Sequence, residues 1–188
     1  MKATLMLCLP RSRSAWMAHT FKIAVAAYHD PLGRCASIAE LAETVARARR
    51  LSPVLLADTS ASLFVDEIDR QVPDLQYLVV RRPKEDVKRS LRRQGMSTRL
   101  VDREDAALDA AVPALRERGR TLLEVPYDDI NGRLPEIWTF VAEGAVSWVY
   151  AREAVRTHVE VPPAEQAQRA DFGKMRRLFA TIGIDITT

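Results

Sequence analysis

The residues best suited to chemistry lie near the start of the chain, in "LCLPRSRSAWMAHTF" (Leu7 to Phe21). An apolar run stops at Pro10. Arg11, Ser12, Arg13 and Ser14 follow, and then a helix-like pattern begins. A strand, a tight loop and a helix start in that order make an anion site, because the first helical amides lack partners and the helix dipole favours negative charge there. Arg11 and Arg13 would add charge-assisted hydrogen bonds, and Ser12 and Ser14 hydroxyl donors. The loop has no glycine and does not follow the G-x-x-x-x-G-K-[ST] pattern. A solvated basic turn with Ser14 as the helix N-cap is the plainer reading of the same residues.

A second cationic group stands in "YLVVRRPKEDVKRSL" (Tyr77 to Leu91), where Arg81 and Arg82 end an apolar run and Pro83 opens a helix. That helix carries Lys84, Lys88, Arg89, Arg92 and Arg93, a pattern that also describes an ordinary solvated face. "AYHDPL" (Ala27 to Leu32) holds His29, whose side chain titrates near neutrality, next to Asp30. Asp30-Pro31 also reads as a simple turn. Asp58, in "ADTSASLF" (Ala57 to Phe64), is a weaker candidate proton acceptor, and His19 and His158 read as helix-surface or core residues.

These groups need a scaffold. A chain of 188 residues with 47% apolar and 28% charged residues is expected to be one globular domain, with a helical C-terminal section from about residue 134. Apolar runs at Ala3–Leu9, Pro53–Asp58, Leu75–Arg82 and Thr121–Tyr127 read as buried strands. Helices are expected at Ser14–Tyr28, Ala36–Arg50, Ser62–Val72, Pro83–Gly95, Arg103–Gly119 and Leu134–Gly144. Pro113 is a kink point within the fifth, and Gly119 its terminator. A further helix is expected from Val146 to about His158, a connection at Val161–Gln166, and a last helix with Phe172, Met175, Phe179 and Ile182 on one face. Wholly apolar strands alternating with helices predict an α/β fold: a central parallel sheet of about four to five strands covered by helices on both faces, P-loop NTPase-like in plan. Ligands of such sheets bind beyond the carboxyl ends of the strands. The informative residues cluster at four such ends: Pro10–Ser14, Asp58–Ser60, Arg81–Arg82 and Tyr127–Asp129.

No run approaches the ~20 apolar residues that cross a bilayer. "MKATLMLCLP" reads as a strand rather than a signal peptide, because Arg11 and Arg13 stand where small cleavage-site residues would be. Cys8 and Cys35 form neither a metal-ligand spacing nor a disulfide framework, so a cytoplasmic setting and no metal are expected. A net charge of +3 suits an anionic small molecule or a weak nucleic-acid surface. The basic helix at Lys84–Arg93 has no interleaved aromatics for stacking, so a nucleic-acid partner is not expected.

With these residues in view, "PRSRSAW" resembles the 5′-phosphosulfate loop of the PAPS-dependent sulfotransferases, P-[KR]-S-G-[ST]-[ST]-W, through Pro10, Arg11, Ser12, Ser14 and Trp16. The resemblance implies that 3′-phosphoadenosine 5′-phosphosulfate (PAPS) is the co-substrate. Arg11 would face the bridging oxygen and the leaving phosphate, Ser12 and Ser14 the phosphate oxygens, and Trp16 the adenine; Trp16 reads equally well as a core aromatic. Arg13 stands where the family has glycine and Ala15 where it has a hydroxyl, so Arg13 either adds a grip on phosphate or fills the pocket. The family binds the 3′-phosphate with an arginine at a strand end and a serine eight residues on, which matches Arg82 and Ser90; Arg81 remains the alternative, because the family often reads R-[ND]-P. Tyr127, Asp128, Asp129 and Ile130 resemble its Y-E-D-L segment, assigned no chemistry. Asp30, Pro31 and Leu32 resemble its E-P-[FL] segment, which points to Asp30 or His29 as the base. "ADTSASLF" is similar to its E-K-[ST]-P stretch, with Thr59 in place of lysine.

The resemblance implies sulfuryl transfer to a small or extended acceptor. A non-catalytic nucleotide- or partner-binding relative and a P-loop-like kinase are the alternatives. The loop's missing lysine and glycines, and the want of a clear Mg²⁺ carboxylate, weigh against the kinase.

Overall fold

The computed structural model describes residues 1–144, 147, 148, 152 and 171–186. The expected elements at Val146–His158 and Val161–Gln166 lie outside the described residues, apart from isolated positions. Five strands are described: β1 (Ala3–Cys8), β2 (Ala26–His29), β3 (Val54–Asp58), β4 (Leu75–Arg81) and β5 (Leu122–Pro126). They form one sheet in the order β2-β3-β1-β4-β5, with every neighbouring pair parallel. Seven described helices accompany it: α1 (Ser14–Phe21), α2 (Ile38–Ala48), α3 (Val65–Gln71), α4 (Lys84–Arg93), α5 (Val101–Glu117), α6 (Leu134–Ala142) and α7 (Phe172–Ala180).

β1 is buried along its whole length because both of its faces are covered. Alternate side chains point to opposite faces. Leu5 and Leu7 join a core with Ile38, Leu41 and Val45 of α2, Ile68 of α3, Leu108 and Val112 of α5, and Leu178 and Phe179 of α7. Met6 and Cys8 join the other core, with Met17 and Phe21 of α1 and Ile137 and Trp138 of α6. Phe21 and Trp138 stack there at 4.7 Å between ring centroids. Met175 and Ile182 pack on the first core as the C-terminal pattern predicts. α5 ends at Gly119, whose φ of +70° supplies the left-handed turn expected of a terminating glycine.

One element differs from expectation. The helix expected over Ser14–Tyr28 stops at Phe21, and Ala26–His29 is a strand on the edge of the sheet. The amides of Ala24 and Val25 close the turn on the Phe21 carbonyl, at 2.9 and 3.0 Å, and the Ala26 amide donates to Pro53 at 2.9 Å. The three alanines of "AVAAY" favour helix, but by well under 1 kcal/mol per residue, and pairing with β3 overrides them. Beyond β1 the chain moves to one side of it for β2 and β3 and to the other for β4 and β5. The carboxyl end of β1 therefore lies where the winding reverses, the place where such sheets open a crevice. Among the described residues no helix is long and apolar enough to cross a membrane.

Candidate active site

The loop after β1 combines two unusual backbone positions. Arg11 has φ +62° and Arg13 φ +66°, in the left-handed region that non-glycine residues seldom occupy. This corrects the expected capping: Arg13 is the N-cap of α1, with no side-chain cap, and Ser14 is already the first helical residue. The Arg13 carbonyl accepts the Met17 amide at 2.8 Å, which leaves the amides of the first turn without helical partners. Ser12 is fully buried, and its hydroxyl has no hydrogen-bond partner among the described residues. A buried hydroxyl left unpaired costs about 1–3 kcal/mol. The unpartnered amides of the first turn of α1 belong to the same loop. Arg11 itself is exposed.

The two arginines at the end of β4 diverge because neighbouring strand residues point to opposite faces. Arg81 turns to Asp109 of α5 and, at 3.8 Å, to Glu124 of β5. Arg82 turns the other way and donates from Nη1 to the carbonyl of Arg11, so it reaches the loop directly. Its guanidinium lies 4.2 Å from the ring centroid of Tyr127. Arg13 flanks the same ring at 5.3 Å, lies 5.7 Å from Trp16, and donates to Asn131 Oδ1 at 2.6 Å. Trp16, half-buried, packs against the second core. Ser90 is half-buried on α4, and among the described residues its hydroxyl makes no bond to the loop.

The structure thus gathers Arg11, Ser12, Arg13, Ser14, Trp16 and Arg82 around one loop, and it leaves Arg81 in an ion pair outside that group. Tyr127, which was assigned no chemistry, and Asn131, which was not singled out, belong to it as well. Tyr127 carried a signal, its place at a strand's carboxyl end. Asn131 carried none.

On the other side of the loop stand the ends of β2 and β3. His29 Nε2 lies 3.3 Å from Ser14 Oγ and 3.2 Å from Asp30 Oδ2. Asp30 Oδ1 accepts from the amide of Thr59 at 3.2 Å and from its hydroxyl at 3.4 Å. Asp58 returns the brace, accepting from the amides of Leu32 at 2.8 Å and Ser60 at 2.9 Å. Two carboxylates therefore tie the turn after β2, next to His29, to the turn after β3. Glu104, near the start of α5, reaches the same place: its Oε1 accepts from Ser60 Oγ at 3.1 Å.

Asp58 and Glu104 are each 2% exposed. Burial, then the charge of Asp30, pushes Asp58 up to about 7. Burial likewise pushes Glu104 up to about 7, against the opposing hydrogen bond from Ser60. The Cys8 thiol is raised well above its ordinary value by burial, so it is no nucleophile. His19 is exposed on α1, and His158 lies outside the described residues. Among the described residues no group of three His, Cys, Asp or Glu is arranged to hold a metal ion.

No protein-family profile matches this chain. No curated protein matches it either. Among solved structures, the sulfotransferase domain of the Synechococcus PCC 7002 olefin synthase superposes with a TM-score of 0.59 at 12% identity, over 100% of this chain and 90% of that one. The chain is therefore similar in fold to a sulfotransferase domain: a parallel α/β sheet with its first strand–loop–helix turn at the centre.

Proposed function

We propose that the protein transfers a sulfuryl group from 3′-phosphoadenosine 5′-phosphosulfate to an acceptor. The observation that carries this reading is the fully buried, unpartnered hydroxyl of Ser12, in a loop met on one side by Arg82 and on the other by the His29–Asp30 pair. The residues fit the co-substrate: the loop offers amides, hydroxyls and Arg11 to its 5′ end, and Arg82, which reaches the loop at the Arg11 carbonyl, is the cation for its 3′-phosphate, with Ser90 of α4 as the hydroxyl. When bound, it supplies a sulfuryl group on a phosphate leaving group.

The chain's own residues then have three tasks. Arg11 and the α1 amides stabilise negative charge on the leaving oxygen; arginine stays protonated, so it acts by charge and not as an acid. Arg82 fixes the loop through the Arg11 carbonyl and holds a phosphate in place. His29 takes the acceptor's proton. The same ring nitrogen faces both oxygens. With the Ser14 hydroxyl turned to phosphate, the Nε2 lone pair is open to the acceptor's proton. Protonated, it donates to Asp30, whose charge stabilises the imidazolium.

Calorimetry with 3′-phosphoadenosine 5′-phosphate, ATP and AMP tests the reading. Binding that depends on the 3′-phosphate supports it. No binding, or a preference for ATP with Mg²⁺, overturns it in favour of the kinase or the non-catalytic alternative.

A further inference from the structure

The two sides of the site carry opposite charge. Arg11, Arg13 and Arg82 surround the loop after β1. Asp30, Asp58 and Glu104 lie beyond the ends of β2 and β3. Among the described residues no lysine or arginine pairs with any of these three carboxylates; His29 is the basic group beside them. Elsewhere, buried Asp69 has Arg118, Arg120 and the Tyr77 hydroxyl, and Glu40 has Lys174.

A second observation points to a ligand. Glu104 Oε2 is buried and has no hydrogen-bond partner among the described residues, although Oε1 is bonded to Ser60 in the midst of the cluster. A buried carboxylate oxygen without a donor is strongly disfavoured. The charges of Glu104 and Asp30 act on one another, and both act on Asp58 and Cys8, so the group shares one electrostatic environment. Asp30, with a side chain 43% exposed, and half-buried Thr59 and Ser60 form its open edge.

Resting on the sulfotransferase reading for the other half of the site, we propose that the carboxylates of Asp30, Asp58 and Glu104 form the acceptor subsite, and that they anchor the acceptor by a primary alkylammonium group, while a separate hydroxyl of the acceptor gives its proton to His29 and receives the sulfuryl group. Such a group brings three N–H donors and one positive charge, which matches the unpaired oxygen and the uncompensated carboxylates. An anionic donor on the arginine side and a cationic acceptor on the carboxylate side would also steer one another into place. A metal ion would need the tighter convergence of ligands that the described residues do not provide.

The test uses the full chain without nucleotide, titrated at pH 7 with propylammonium and, for comparison, the isosteric 1-propanol. Binding is followed by NMR, and proton release by calorimetry in two buffers of different ionisation heat. Propylammonium is expected to bind at least about tenfold more tightly than the alcohol and to release protons, because a cation favours the charged form of carboxylates held near neutrality. Glu104→Gln should reduce both the affinity and the proton release. Asp30→Asn, at a left-handed position that asparagine tolerates, gives the same readout if Glu104→Gln fails to fold. Asp109→Asn, which removes one of the two carboxylate partners of Arg81, should change neither. Equal binding of amine and alcohol, amine binding without proton release, or indifference to both cluster substitutions overturns the subsite. Nucleotide titration of the same samples keeps the two readings apart: loss of 3′-phosphate-dependent binding sinks sulfuryl transfer, whatever the amine does.

Discussion

His29 Nε2 sits 3.3 Å from Ser14 Oγ, which joins the last residue of β2 to the first residue of α1. Two segments fifteen residues apart in sequence therefore meet where the loop amides end and the carboxylates begin. If His29 is the proton acceptor, His29→Ala should lower turnover by ~10²-fold or more. Affinity for 3′-phosphoadenosine 5′-phosphate should stay within about twofold, since a base acts on the acceptor's proton. Single-turnover rates beside calorimetry would show this; an unchanged rate removes His29 from the mechanism.

The divergence of Arg81 and Arg82 makes a paired prediction. Arg82→Ala should weaken binding of 3′-phosphoadenosine 5′-phosphate by roughly tenfold or more, because it removes a charge-assisted contact and the brace on the Arg11 carbonyl. Arg81→Ala breaks the pairs with Asp109 and Glu124 and should leave nucleotide affinity within about twofold. Titrating both variants decides the register; the reverse pattern would hand the phosphate to Arg81.

The left-handed backbone at Arg13 predicts an asymmetry in stability. Arg13→Gly relieves a φ of +66° but enlarges the entropy of the unfolded chain, two effects of about 1 kcal/mol each in opposite directions. Truncation at Arg13 also loses the Asn131 bond and the contacts with Trp16 and Tyr127, so Arg13→Gly is the reference for the next variant. Arg13→Val places a β-branched residue in the same conformation and should lower Tm by on the order of 5 °C relative to that reference. Equal melting of the two variants would show that the loop relaxes freely.

Asp58 and Glu104 predict the pH dependence of stability. Both have folded-state values near 7, against an ordinary range near 4, so between those limits the folded protein holds protons that the unfolded chain has released. Their contribution is fully retained at and below pH 4 and is lost as pH rises through 7. Glu40, Asp102 and Glu136, all lowered by cationic partners or amides, act in the opposite sense but only below their ordinary range. Urea unfolding from pH 5 to 7.5 should therefore show falling stability, and Glu104→Gln should flatten the slope while keeping an acceptor for Ser60. A rising or flat profile in the parent contradicts the assignment.

Much of this was legible in the linear chain. The apolar run at β1, the switch to a helical pattern after Ser14, and the strand–helix alternation required a parallel sheet covered on both faces, because only such a sheet buries every residue of strands like Val54–Asp58. The basic and hydroxyl residues at strand ends followed from the same pattern. β2 was not legible: the alanines of "AVAAYH" lean toward helix, and its pairing with Pro53–Ala57 is settled by a neighbour that is distant in sequence. Glu104 was hidden for a related reason. An acid in the first turn of a helix looks like an ordinary complement to the helix dipole. Sequence alone determined which residue types stand at the strand ends. Tertiary structure decided which of them share a site, because the contacts of His29 with Ser14, Arg82 with Arg11, and Glu104 with Ser60 depend on strand order and helix packing rather than on local spacing.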